Sequence, residues 1–268
     1  MKVLLTGAFG NLGLMVIREL QRQGIAVRCT DLPSAGNRRT ARAHEGRVEI
    51  AWGDIRDAAW LARQVEDVDA VIHLAGLLPP ATDDRPELAE AVNVTATRQL
   101  VAALARSPRP PLLLYPSSLT VFGVTRTQPP PRRVSDPVVA TDAYTRHKLA
   151  VEDHLAASSI PWVIFRIGVS VDSRTLSADL GTLRKLIAVR ADNRLEYVHP
   201  EDVALAMVNA VQRRDAVERR TLLIGGGPRC QVTQSVFLGT ALEAAGLRWS
   251  ASHHGNDEYY TDWLDTDE

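Results

Sequence analysis

The first thirteen residues constrain this chain more than any other stretch. Val3-Leu4-Leu5 is an apolar run of strand type, and the apolar residues Leu12, Val16 and Leu20 recur at helical spacing. The segment Thr6-Gly7-Ala8-Phe9-Gly10-Asn11-Leu12-Gly13 therefore falls on a strand-to-helix turn. Each glycine has its own physical use there. Gly7 permits the tight turn, Gly10 lets the backbone be approached closely, and Gly13 lets the helix pack on the strand. The helix N-terminus adds N–H groups with no intrahelical partner and a partial positive charge, a combination suited to a pyrophosphate. The stretch reads as a dinucleotide-binding start in which Phe9, Asn11 and Leu12 join the three glycines as cofactor-contacting residues. Standing alone, it has a plainer alternative, a loop that needed glycine.

A chain of 268 residues with 45% hydrophobic content can bury a large core. The expected fold class is α/β, a Rossmann-type doubly wound parallel sheet with a small C-terminal substrate lobe. It is expected as a single domain over 1–268, with 1–166 mainly the dinucleotide-binding core and 167–268 mainly the lobe plus returning core elements. With 31 Lys and Arg against 32 Asp and Glu there is no global field favouring nucleic acid or an anionic membrane. A small-molecule substrate is the expected partner, with no nucleic acid and no membrane. The chain enters a strand without a basic and apolar leader, and no apolar run approaches the roughly 18 residues of a membrane span, so a cytoplasmic location is expected. Cys29 and Cys230 read as two incidental thiols rather than a disulfide.

Ile25 to Thr30 reads as a second strand with Asp31 at its end, eighteen residues beyond Gly13. A carboxylate there can accept hydrogen bonds from the adenosine ribose and repel the extra phosphate of NADP, so Asp31 favours NAD. The alternative is a turn-forming Asp before Leu32-Pro33. Arg38 and Arg39 in the next loop keep NADP open. Val48 to Trp52 makes a third strand leading into Gly53-Asp54-Ile55, where Asp54 has a plain alternative as a helix cap. Ala70 to Gly76 is a fourth strand whose end, Leu74-Ala75-Gly76, leaves room for a cofactor. His73 within it has apolar neighbours and no local acid, so a satisfied core histidine is expected over a catalytic one. Glu87 to Ala105 reads as one helix.

Tyr144 and Lys148 are four apart on a helical pattern and share a face, which brings an ammonium near a phenol. A nearby positive charge favours the phenolate, so Tyr144 can serve as a general acid/base. Ser118 ends the strand before that helix and can bond the same substrate oxygen. Glycine turn, Asp31, Gly53-Asp54, Ser118, and Tyr144 with Lys148 occur in the order that one fold requires.

With these residues in place the chain resembles the extended and atypical short-chain dehydrogenases, the NAD-dependent epimerase/dehydratase family. Ser117-Ser118-Leu119-Thr120-Val121-Phe122-Gly123 matches the family's Ser-Ser-x-x-Val-Tyr-Gly pattern with Phe122 in place of Tyr. Tyr197 to Ala204 resembles a late strand-to-helix motif. The resemblance implies NAD as cofactor, with Asp54 and Ile55 at the adenine and Asn93 as a structural and proton-relay residue. It also implies Ser118, Tyr144 and Lys148 as the catalytic set, Lys148 bonding the nicotinamide ribose. Ser117 and Thr120 are plausible substitutes for Ser118, and Leu78, Ser118, Leu119 and Thr120 are expected to line the substrate. The helices at 92–104 and 148–155 resemble the family's dimer contact, so a homodimer is expected.

Two departures bear on the substrate. After Trp162 to Arg166 the chain reads Ile167-Gly168-Val169-Ser170, where the epimerases have an Asn-Val-Tyr-Gly type segment, and about thirty residues separate Arg166 from Tyr197. This small lobe argues against a bulky nucleotide sugar. The Arg-Ile-Gly segment is similar to that of uronate dehydrogenases, and Arg174 could clamp a carboxylate. The expected function is NAD-dependent oxidoreduction or epimerisation at a hydroxyl or carbonyl of a sugar-like substrate. A sugar-acid dehydrogenase is the alternative, and a non-catalytic dinucleotide sensor the alternative of another class. No metal is expected: His253-His254 do not present both rings to one ion. The tail aromatics are expected to cover the lobe or a subunit contact.

Overall fold

The structure, a computed structural model of the chain, describes residues 1–171 and 180–267. In chain order the elements begin with β1 (Lys2–Thr6), α1 (Asn11–Arg22), β2 (Ala26–Asp31), α2 (Ala35–Ala41), β3 (Glu49–Trp52), α3 (Ala58–Gln64) and β4 (Ala70–His73). There follow α4 (Ala81–Asp84), α5 (Pro86–Glu90), a π-turn (Ala91–Thr95), α6 (Ala96–Leu104), β5 (Leu112–Ser118), α7 (Ala143–Ala157) and β6 (Trp162–Ile167). The last are β7 (Val169–Ser170), α8 (Leu180–Ala188), β8 (Arg194–Val198), α9 (Pro200–Gln212), α10 (Arg214–Val217), β9 (Arg220–Ile224), β10 (Gln231–Thr233) and α11 (Gln234–Ala244).

Among the described residues the strands form a seven-stranded sheet in the order β3-β2-β1-β4-β5-β6-β9. The chain runs outward from β1 to β3, then crosses back to β4 and runs the other way. The reversal lies between β1 and β4, and in an open parallel sheet the crevice for a ligand forms at the carboxyl ends of such a pair. Val3 stands opposite Val27 on one side and Ala70 on the other, in parallel register. The alternation of burial expected of a one-sided sheet is missing because Val3, Leu4 and Leu5 are all fully buried, as a strand with helices on both faces must be.

Two compact units result, the first comprising residues 1–117, 142–165 and 203–221. Its apolar cluster joins Leu4, Val71 and Leu113 of the sheet to Leu61 of α3, Leu100 and Leu104 of α6, and Val151 and Leu155 of α7. Each fully buried leucine contributes about 1.5–3 kcal/mol of apolar burial. α1 buries the stripe Gly13, Val16, Ile17 and Leu20, and its C-cap Gln23 is followed by Gly24, whose φ of 69° is the left-handed conformation glycine adopts freely. The span 87–105, read as one helix, is α5, the π-turn and α6 in succession. Val92, Ala96, Leu100 and Leu104 are spaced by four throughout, more than the 3.6 residues of an α-turn, and the wider π-turn takes up part of that drift.

The second unit, residues 118–141, 166–202 and 222–268, carries a three-stranded sheet in the order β10-β8-β7. β7 runs parallel and β10 antiparallel to β8. Two buried carboxylates tie the tail down. Asp262 accepts from Arg194 Nε at 2.6 Å and Thr125 Oγ1 at 2.6 Å, with Arg132 Nε 3.2 Å away. Glu196 accepts from the backbone N–H of Gly227 and Leu264 and from Gln231 Nε2, at 2.8–2.9 Å. Two tail aromatics have partners within the unit: Trp263 Nε1 donates to Val232 O, and Trp249 packs edge-on against His253 and His254. Both cysteines are free, and burial pushes the Cys29 thiol up to about 12. No helix among the described residues is long and apolar enough to cross a membrane.

Candidate active site

The glycine turn is where the sequence placed it, between β1 and α1, and the three glycines separate by cause. Gly7 has φ 65°, and a Cβ there would lie 2.7 Å from the backbone N of Ala75. A Cβ on Gly13 would lie 2.5 Å from the carbonyl oxygens of Gly7 and Ala8. Both are required by the protein's own packing. Gly10 is not: it is exposed, its φ of −74° and ψ of 174° suit any residue, and the nearest atom to a Cβ would be Gly7 O at 3.4 Å. It is also the N-cap of α1 and offers no side-chain cap to the helix, whose first turn holds no acid. An uncapped helix N-terminus behind an open glycine fits an anionic diphosphate.

Asp31 ends β2 and is already hydrogen-bonded. One carboxylate oxygen accepts from Phe9 N at 3.0 Å, and the other from Leu32 N at 2.8 Å and Asn37 Nδ2 at 2.9 Å. The turn-forming role and the loop-holding role thus coexist in one side chain. Asn37, which the sequence reading passed over, sits in α2 behind the Ser34 cap. Trp52 was also missed. Its ring lies 5.2 Å from that of Phe9, and the Arg38 guanidinium stacks over it at 5.2 Å. Asp54 is not the cap of α3, a role taken by Asp57, which accepts from Trp60 N. Asp54 instead holds Arg56, whose guanidinium keeps the Asp54 carboxyl below its usual range. Ile55 is buried in the core cluster.

At the carboxyl end of β4, Leu74 N donates to Thr6 O and Ala75 N to Thr6 Oγ1. His73 is the satisfied core histidine expected: Thr6 Oγ1 lies 2.8 Å from its Nδ1 and Thr97 Oγ1 3.0 Å from its Nε2. Burial, with a smaller push from Lys148, lowers its pKa to about 3, so it is neutral. Since Thr97 donates to Asn93 O, Nε2 of His73 carries the proton and Thr6 donates to Nδ1. Asn93 sits in the π-turn, its Oδ1 accepting from Leu77 N at 2.7 Å and its Nδ2 donating to Leu77 O at 2.9 Å.

α7 starts from a capping box, Asp142 accepting from Thr145 N while Thr145 Oγ1 accepts from Asp142 N. Tyr144 follows, and the Lys148 ammonium lies 5.4 Å from the centroid of its ring and 4.7 Å from that of Tyr115. Lys148 Nζ donates to Pro116 O on β5. Burial lowers Lys148 to about 8, against the opposing pull of Glu152. Glu152 is one helical turn further on and buried, and it accepts from Ser117 Oγ. Tyr144, Lys148 and Glu152 thus line one face at intervals of four. Ser117, considered as a substitute for Ser118, has its hydroxyl committed to Glu152.

Leu78 of the first unit is exposed. In the second unit Ser118 Oγ accepts from Thr120 N at 3.2 Å and from Thr120 Oγ1 at 2.9 Å, capping the short turn Leu119–Phe122. Leu119 is buried with Phe122, Leu223 and Leu264. Arg174 lies outside the described residues.

Residues 3–169 match the profile of a family described as the NAD dependent epimerase/dehydratase family. The D-erythronate dehydrogenase of Cupriavidus necator is 31% identical over 131 residues, which cover 46% of this chain and 40% of that protein. A UDP-glucose 4-epimerase of Azospirillum brasilense is 32% identical over 172 residues, covering 62% of this chain and 48% of that protein. The chain thus spans less than half of the length of these two relatives. Among solved structures, the UDP-glucuronic acid 4-epimerase of Bacillus cereus, in complex with UDP-glucuronic acid and NAD, gives a TM-score of 0.81 at 18% identity, over 100% of this chain and 91% of that one. That likeness is one of fold.

Proposed function

The chain belongs to the NAD dependent epimerase/dehydratase family, and we propose that it seats NAD at the glycine turn and catalyses oxidoreduction at a secondary hydroxyl or carbonyl of a small, sugar-like substrate. The observation that carries this reading is the Lys148 ammonium held against the Tyr144 ring by Pro116 O. When bound, NAD supplies the hydride acceptor. Gly7, Phe9, Gly10, Asn11, Leu12 and Gly13 form the diphosphate cradle, Asp31 takes the adenosine ribose, Asp54 and Ile55 face the adenine, and Leu74, Ala75 and Gly76 border the cofactor. Asn93 fixes that border through Leu77. Tyr144 accepts the substrate's hydroxyl proton as the carbonyl forms, and the Lys148 charge lowers the cost of the phenolate that must receive it. Ser118 steadies the substrate oxygen, with Leu78, Leu119 and Thr120 as further substrate-side residues.

The likeness to a D-erythronate dehydrogenase favours a second reading in which a sugar acid is oxidised with net NAD reduction and Arg174 holds its carboxylate. Appearance of NADH with substrate distinguishes it from epimerisation or dehydration, which return the hydride. Tyr144→Phe tests the whole assignment. It should lower kcat at least 100-fold with NADH binding intact; unchanged turnover on an identified substrate would overturn the assignment of Tyr144 as the acid/base.

A further inference from the structure

His147 lies between Tyr144 and Lys148 in sequence, is 7% exposed, and serves neither of them directly. Its Nδ1 is 3.3 Å from Asn93 Nδ2, and its Nε2 is 3.0 Å from Glu90 Oε2. The ring therefore bridges α7 to the π-turn on one side and to the end of α5 on the other.

The proton count at this bridge is fixed from both ends. Asn93 cannot flip its amide without losing Leu77, because Oδ1 accepts from Leu77 N while Nδ2 donates to Leu77 O. Only an N–H is left to face His147, so Nδ1 must be an acceptor, and Nε2 must carry the hydrogen that faces the Glu90 carboxylate. A second proton on the ring places a donor against a donor at the Asn93 contact. Leu77 follows directly on Leu74-Ala75-Gly76, a Cβ on Gly76 would meet Asn93 Oδ1 at 3.3 Å, and Ala75 N is the atom that leaves no room for a Cβ on Gly7. Loosening Asn93 thus reaches the border of the glycine turn through three consecutive residues.

We propose that His147 is a positioning residue of the cofactor site: neutral, it holds the Asn93 amide on Leu77, and on protonation it lets go, so that acid weakens dinucleotide binding. The inference rests on the proposed NAD site and adds to it a pH-dependent clamp. The charged groups around the ring are Glu90 from α5, Asp142 at the cap of α7, and Arg146 and Lys148 from α7, while Asp83 and Asp84 of α4, which packs on α7, are exposed. Burial foremost, then Arg146 and Lys148, holds His147 below the ordinary histidine value, against Glu90 and Asp142. The clamp is therefore closed at neutral pH and opens on acidification.

The test is NADH affinity of the full chain by fluorescence titration between pH 5 and 8.5, with the Asn93 side-chain amide signals followed by NMR in the NADH-free protein. Wild-type affinity should fall as the pH is lowered, by about five- to tenfold once His147 is protonated, the worth of one hydrogen bond. His147→Asn, which keeps an acceptor where Nδ1 stands but does not titrate, should give a flat profile near the wild-type neutral value. His147→Phe should sit at the weak limit at every pH, and Glu90→Gln should move the wild-type limb to lower pH. The Asn93 amide signals should titrate in wild type and not in His147→Asn. A wild type that binds NADH with no acid limb, or a His147→Asn that keeps the limb, overturns the clamp and leaves the cofactor reading standing. No NADH binding at pH 8 with a titrating Asn93 amide overturns the cofactor reading and, with it, the clamp's role in binding.

Discussion

Gly10→Ala separates a glycine that the fold needs from one that a ligand needs. Its backbone, φ −74° and ψ 174°, admits alanine without strain, and the added Cβ would meet only Gly7 O, at the ordinary contact distance of 3.4 Å. Alanine is a poorer N-cap than glycine by up to about 1 kcal/mol, while its lower freedom in the unfolded chain returns about 0.4–1 kcal/mol. The ligand-free protein should therefore melt within about 3 °C of wild type. NADH affinity should nevertheless fall at least tenfold, or about 1.4 kcal/mol, because the methyl stands where the diphosphate must approach the helix N-terminus. Gly13→Ala is the control. Its Cβ, 2.5 Å from two backbone carbonyl oxygens, forces α1 away from the turn by nearly an ångström and should cost about 1–3 kcal/mol of stability before any ligand is added. Thermal melts and NADH titrations on the two variants decide the matter. If Gly10→Ala binds NADH within threefold of wild type, or is destabilised as much as Gly13→Ala, the open glycine is not a diphosphate approach.

Asp31→Asn should weaken NADH binding while narrowing the NADH-over-NADPH preference by about tenfold. It removes the charge that opposes a 2′-phosphate and also sets an NH2 against donors at Leu32 and Asn37 or at Phe9; paired titrations with the two nucleotides measure the ratio. Lys148→Met should abolish turnover, and the two proteins should differ in the pH dependence of stability. A lysine lowered from 10.5 to about 8 is penalised in its charged form by an upper figure of about 3 kcal/mol. The unfolded chain binds the extra proton between those values, so wild-type stability relative to Lys148→Met should rise from about pH 8 to 10.5, and parallel melting curves would refute the burial. A homodimer through 92–104 and 148–155, expected from the family resemblance, should sediment at twice the chain mass at micromolar concentration; a single-chain mass would refute it.

What was legible in the sequence was what depends on spacing along the chain. The glycine turn, Asp31 at a strand end, and Tyr144 four residues before Lys148 are each set by one element, and the strand and helix periods reveal them. What was not legible depends on register between elements. Trp52 meets Phe9 and Arg38 because β2 pairs with β3 so that Asp31 stands opposite Trp52, a pairing that no local pattern records. Asn37 reaches Asp31 only once Ser34 has capped α2 at that residue. The π-turn hid behind a helical pattern, since a single extra residue leaves the periodicity nearly unchanged over so short a span.

Glu152 is the instructive miss, because half of its signal was local. Its spacing from Lys148 equals that of Lys148 from Tyr144, so the three share a face by helix geometry alone. The other half is the strand: Lys148 takes Pro116 O and Glu152 takes the Ser117 hydroxyl, adjacent residues of β5. These two bonds fix how far α7 can rotate or slide against β5, and so fix where Tyr144, one turn nearer the helix start, is held. Electrostatics works on the same line. A buried ammonium is driven toward neutrality, and the Glu152 carboxylate one turn away opposes that drive, so the bond that anchors α7 to Ser117 also favours the charged form of Lys148 beside the Tyr144 ring.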